Sequence, residues 1–332
     1  MSNHWMLNNC YRWFVFGYIN RDSLQNVRSL QEKTIANGMY IQNSNSHADS
    51  PLSNLMENSG KSTLEEIEID LLCEGIYRHY GYDYRDYARC SLTRRVKKLM
   101  AQEGIETVSA LQDAVLNNRL VMEQLILDLS INVTAMFRDG DMYAAFRKQV
   151  VPLLRTYPSI RIWHAGCSTG EEVYSMAILL EEEGLGEKSI IYATDLNEVV
   201  VKRASSGIIP LDVMQEYSMN YIKSGGTSSL SDYYTAKYGY AKLRPEILKR
   251  IVFSKHNLVT DGSFNEFNVI FCRNVMIYFN EALQNRVLRL IDESLCRFGV
   301  VVLGAKETMQ FTSRHFDYKE LNEDYKIYQR HS

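Results

Sequence analysis

From Thr63 onward, apolar residues recur at helical spacing. Thr63 and Glu66 make the S/T-x-x-E pattern of a capping box, and Leu64, Ile67, Leu71 and Leu72 follow it. A second helix, "DYARCSLTRRVKKLMAQEG", stops at Gly104, and two more apolar-periodic stretches follow, "TVSALQDAVLNN" and "LVMEQLILDLSI". Residues 62–130 therefore predict a small all-helical unit. From Ile160 the pattern changes to short apolar runs alternating with helical stretches. "RIWHA", "SIIYATD", "RIVFSKHN", "FNVIFCRN" and "FGVVVLG" read as strands. Helices are expected over 171–183, 197–205 and 281–295, the first and last of them crossovers between consecutive strands. That alternation predicts an α/β fold with a mostly parallel, doubly wound sheet.

Two regions depart from this alternation. "FDYKEL" and "YKIYQR" are close enough to pair as an antiparallel hairpin at the sheet edge. The interval between the second and third strands is too long for one crossover, and "IKSGGTSSLSDYYTAKYGYAKLR" within it is rich in Gly, Ser and Tyr. It predicts a small, mainly β insertion over 210–248. Residues 131–159 read as a linker and covering helix, and 160–332 as the sheet domain. Residues 1–61 are rich in Asn and Ser with little apolar periodicity, which predicts a loose extension.

Bulk properties exclude several classes. A formal net charge of −3 gives no drive toward nucleic acid or anionic membrane. The apolar stretch "YRWFVFGYI" is about half the roughly 20 residues needed to span a bilayer. Six cysteines lie scattered without CxxC or His-rich spacing, which points to reduced thiols in a cytoplasmic protein and to no metal site.

The glycine loop after the first strand, "HAGCSTGEEVYSMAILL", has the build of a phosphate loop but carries Glu171 and Glu172 where phosphate would sit. Carboxylate beside pyrophosphate is repulsive. Asp195, ending the second strand, is placed to hold ribose hydroxyls. A nucleoside without phosphate and with positive charge, S-adenosylmethionine, satisfies both. The glutamates could equally complement the helix dipole. The fourth strand ends in "FCRNVMIYF", without the Asn/Asp-Pro-Pro-aromatic turn common in methyltransferases acting on amino groups. His164 reads as a hydrogen-bonded structural residue and Cys167 as a small filler.

"INVTAMFR", "AGCSTGEEVYSMA", "YATDLN", "HNLV" and "FCRNVMIYF", in that order, resemble the CheR-type chemotaxis-receptor glutamate methyltransferases over residues 65–330. The resemblance implies a class I S-adenosylmethionine-dependent methyltransferase fold, Rossmann-like with an antiparallel C-terminal edge strand, plus the helical domain and the β insertion. It implies methyl transfer from S-adenosylmethionine, leaving S-adenosylhomocysteine, to glutamate carboxylates of a chemoreceptor, for sensory adaptation. Asn132, Thr134, Arg138, Glu172, Asp195, Asn257, Leu258, Arg273 and Asn274 would hold the cofactor. Arg138 and Tyr278 would act on the substrate carboxylate.

The resemblance also implies a basic face on the second helix, Arg94, Arg95, Lys97 and Lys98, that holds the receptor's cytoplasmic helices. In some similar enzymes the insertion grips a receptor C-terminal tail, a feature left open for this chain, and the enzyme would be a monomer. Two other readings share these residues. One is a methyltransferase on a small molecule or RNA. The other is a scaffold that binds S-adenosylmethionine or a receptor without turnover.

Overall fold

A computed structural model describes residues 63–129, 134–309 and 317–331. The expected loose extension and Asn132 lie outside the described residues. Four helices come first: α1 (Leu64–Tyr80), α2 (Arg89–Glu103), α3 (Val108–Asn117) and α4 (Arg119–Leu129). Two more, α5 (Gly140–Gln149) and α6 (Val151–Arg155), lead into β1 (Ile160–Ala165). Then follow α7 (Glu171–Glu182), β2 (Ser189–Asp195) and α8 (Glu198–Ser206). The insertion holds β3 (Ile208–Pro210), α9 (Met214–Lys223), β4 (Tyr234–Lys237), β5 (Tyr240–Leu243) and α10 (Pro245–Leu248). The chain closes with β6 (Ile251–Lys255), β7 (Phe267–Cys272), α11 (Glu281–Ser294), β8 (Leu295–Leu303), β9 (Tyr318–Asn322) and β10 (Ile327–Arg330).

The main sheet has the order β6-β2-β1-β7-β8-β10-β9. Pairing is parallel from β6 through β8 and antiparallel where β10 meets β8 and β9. Side chains alternate between faces, so each strand feeds two cores. Ile162, Val269, Phe271, Val300 and Val302 join α5 and α7 on one face. Trp163, Ile270, Cys272, Val301 and Leu303 join α11 on the other. Strand order reverses at β1, which has β2 on one side and β7 on the other. That reversal opens a crevice at the carboxyl ends.

The helical unit has its own core, built from Ile69, Leu72, Cys73 and Ile76 of α1 with residues of α2, α3 and α4. Both bonds of the Thr63–Glu66 capping box form. Of the four α1 residues whose spacing predicts the helix, only Leu72 is buried. Leu64, Ile67 and Leu71 stand 73%, 45% and 54% exposed. A capping signal fixes where a helix begins, but the buried stripe is decided by what the helix packs against. The insertion, expected to be mainly β, holds helix as well as strand. Its three-stranded sheet, β3-β5-β4, begins at Ile208 and shares the segment with α9.

Candidate active site

The crevice opens over the carboxyl ends of β1, β2, β6 and β7, with Gly166, Asp195, Asn257 and Asn274 among its lining residues. At Gly166, φ is +84°, and a Cβ there would stand 2.5 Å from Cγ2 of Val275. Glycine thus lets the loop after β1 meet the turn after β7 without a side chain between them. The Asp195 carboxylate accepts from the backbone N–H of Ser168 at 2.9 Å and of Asn197 at 3.0 Å. Burial pushes this carboxyl up, while those N–H groups oppose the shift.

The two loop acids part company. Glu171 is buried and accepts a hydrogen bond from the Thr169 hydroxyl at 2.6 Å. Glu172 lines the crevice. Its Oε1 lies 3.0 Å from Nδ1 of His164, and its Oε2 accepts from Nη1 of Arg273 at 3.0 Å. Burial raises the Glu172 carboxyl, but the His164 bond and the Arg273 charge outweigh it and hold it below the usual range. A carboxylate only accepts, so the proton between them sits on Nδ1. The His164 ring is stacked on Phe271 at 4.6 Å. Its hydrogen bond goes to an acid of the crevice. Arg273 also reaches Asp139 at 2.6 Å, which links the segment before α5 to the same cluster.

The other lining residues come from three further places. Asn257 closes an Asx turn, its Oδ1 accepting from the Val259 N–H at 2.9 Å, and Leu258 lines the crevice beside it. Thr134 and Arg138 face the crevice from the segment before α5. That segment is pinned from two sides: the Phe137 N–H donates to the Ser175 hydroxyl at 2.7 Å, and Nδ2 of Asn220 donates to the Met136 carbonyl at 3.3 Å. Tyr278 sits in a short 3-10 turn after β7, and its carbonyl accepts from the Ala88 N–H at 2.8 Å. Burial pushes the Tyr278 phenol up, against the charges of Arg95 and Arg138.

The family model described as CheR methyltransferase, SAM binding domain, matches residues 132–324, and the CheR methyltransferase all-alpha domain matches residues 67–130. The chain belongs to the CheR methyltransferase family. It is 48% identical to the methyltransferase Cher3 of Pseudomonas putida over 265 residues, 80% of this chain and 97% of that one. It is 30% identical to a chemotaxis protein methyltransferase of Listeria innocua, over 70% of this chain and 86% of that one. The same identity relates it to chemotaxis protein methyltransferase 1 of Pseudomonas aeruginosa, over 68% of this chain and 84% of that one. As a CheR methyltransferase it is an enzyme, and S-adenosylmethionine is its cofactor.

The crevice residues fit that cofactor. An ionised Glu172 suits a cation, and the Asp195 oxygens each keep a lone pair for a hydroxyl. His256, unremarked in the sequence, adds a buried Nδ1 without a partner on the crevice wall. Among the described residues no group of His, Cys, Asp and Glu is arranged to hold a metal ion. No described helix is long and apolar enough to cross a membrane.

The basic face of α2 needs correction in this CheR enzyme. Arg95 is 6% exposed, with Nη1 bonded to the Leu129 carbonyl and its guanidinium 4.6 Å from the centre of the Tyr278 ring. Leu92, Val96 and Leu99 form the buried stripe of α2, and position 95 falls on it. Arg95 therefore backs the crevice and does not share an exposed face with Lys98. Arg94, Lys97 and Lys98 are exposed, with Lys97 paired to Glu65 at 2.9 Å and Lys98 to Asp128 at 2.6 Å.

Proposed function

We propose that the enzyme methylates glutamate side chains of a chemoreceptor, forming methyl esters for sensory adaptation. The observation carrying this reading is the charge layout of the crevice. The acids Glu172 and Asp195 line it together with Arg138 and Tyr278. Relatives named as chemotaxis protein methyltransferases support the pathway.

In this reading Glu172 takes the cofactor's amino group and Asp195 the ribose. Asn257 and Leu258 flank the adenine, and Thr134 and Asn274 complete the cradle. Arg273 acts from behind, fixing Glu172. Bound S-adenosylmethionine supplies a methyl group on a cationic sulfonium. A glutamate side chain has a reference pKa of about 4.3, so it enters ionised and needs no general base. Arg138 orients that carboxylate through a charge-assisted contact, and Tyr278 donates one hydrogen bond. Opposite charges cancel as transfer proceeds, so holding the line of attack and excluding water supply the rate. Arg94, Lys97 and Lys98 meet the receptor's acidic helices. The insertion, with Tyr238 85% exposed at its turn, receives the receptor tail. The enzyme acts as a cytoplasmic monomer.

Calorimetry with S-adenosylmethionine, followed by transfer of radiolabelled methyl to receptor cytoplasmic fragments, tests the proposal. Label should be released as methanol by base and should vanish when the receptor's acceptor glutamates become glutamine. Label in a small molecule or RNA without any receptor would redirect the assignment. Binding without transfer to any acceptor would reduce the protein to a scaffold.

A further inference from the structure

The turn that carries Asn274 and Tyr278 into the crevice is held by a residue outside it. Glu307 lies in the loop after β8 and is 5% exposed. Its Oε2 accepts from the backbone N–H of Gly304 at 2.7 Å and of Asn274 at 2.9 Å. Its Oε1 accepts from Val275 at 2.9 Å and Met276 at 2.8 Å. Three successive N–H groups thus converge on one carboxylate, the arrangement of an anion-binding nest. Without an acceptor these buried and partly buried donors would be left unpaired, at a cost in free energy. Asn274 also holds φ at +59°, in the left-handed region that asparagine enters more readily than other side chains.

We propose that Glu307 is a positioning residue for methyl transfer: its carboxylate fills the nest and so sets the turn that places Asn274 and Tyr278. All four contacts are donors to oxygen, so a glutamine cannot replace it. The amide nitrogen would face two N–H groups and accept from neither. An alanine would leave the nest open to an external anion of carboxylate shape. The inference rests on the proposed reaction only for the choice of methyl acceptor.

Glu307→Gln and Glu307→Ala, assayed in the full chain on receptor fragments, test it. For both, kcat should fall about 100-fold, the scale of an ångström-level misplacement, while the Kd for S-adenosylhomocysteine, to which Asn274 contributes, rises by less than about tenfold. Formate should restore part of the Glu307→Ala rate where chloride at equal ionic strength does not, and should leave Glu307→Gln unchanged. Hydrogen exchange at the amides of 274–276 should quicken in Glu307→Gln, a readout that needs no methyl acceptor. Unchanged exchange there, kcat within threefold of wild type, or cofactor affinity lost in step with kcat would each overturn the proposal. If Glu307→Ala does not fold, Glu307→Gln alone decides it. If the wild type methylates no receptor, the proposed substrate has failed, and the exchange measurement still decides the role of Glu307.

Discussion

Arg273 donates from Nη1 to Oε2 of Glu172 at 3.0 Å, with only 3% of its side chain exposed. The pair joins the turn after β7 to the start of α7, across the strand reversal that opens the crevice. Breaking a buried pair strands the remaining charge, so Arg273→Met should destabilise the fold by about 3 kcal/mol. Urea unfolding at neutral pH measures this. A loss below about 0.5 kcal/mol would show that the pair carries no weight.

The low Glu172 carboxyl has a pH signature. A depressed folded-state value means the ionised form is favoured by folding. That stabilisation is present above the unfolded carboxyl value, about 4.3, and fades as pH falls through the lower folded one. The stability difference between wild type and Glu172→Gln should therefore be constant from neutral pH to about 5 and shrink in more acidic solution. Denaturant midpoints across that range report it, and a difference that instead grew with acid would reverse the sign.

Arg138 is expected to act on the substrate more than on the cofactor. Arg138→Ala should lower kcat about 100-fold, the loss of one charge-assisted transition-state contact, with the Kd for S-adenosylmethionine changed less than about threefold. Initial rates and calorimetry on the same preparation separate the two. Normal turnover would remove the residue from the mechanism.

The two adjacent arginines of α2 should behave in opposite ways. Arg95→Ala leaves the Leu129 carbonyl without its donor and Tyr278 without its neighbour, costing about 1–3 kcal/mol of stability together with activity. Arg94→Ala should leave the melting point unchanged and raise the KM for a receptor fragment. Equal stability losses in the two variants would contradict the burial of Arg95.

Much of this was legible in the chain because it depends on local pattern. Alternating apolar runs gave the parallel strands, and the acids at the carboxyl ends of β1 and β2 marked the crevice before any coordinates. What escaped depends on long-range contact. Arg95 sits in a run of four basic residues that reads as a solvated face, and only packing of α2 against Tyr278 and Leu129 turns it inward. Glu307 lies in "LGAKET", where nothing local announces that its carboxylate gathers N–H groups from a turn about thirty residues away. His256 was passed over for the same reason, since a lone histidine after a strand acquires meaning only from the wall it joins. The resemblance pointed to Glu172 rather than Glu171, but its bond to Arg273 spans distant parts of the chain and has no local sign.

One contact of the insertion reaches further than its size implies. A Cβ on Gly140 would stand 2.7 Å from the Asn220 carbonyl oxygen and 2.7 Å from Cβ of Lys223, so α5 begins with its main chain laid directly against α9. Asn220 also holds the Met136 carbonyl, two residues before Arg138. The insertion is thus the foundation under one wall of the crevice. A version of this enzyme pared of it would have to find that wall another footing.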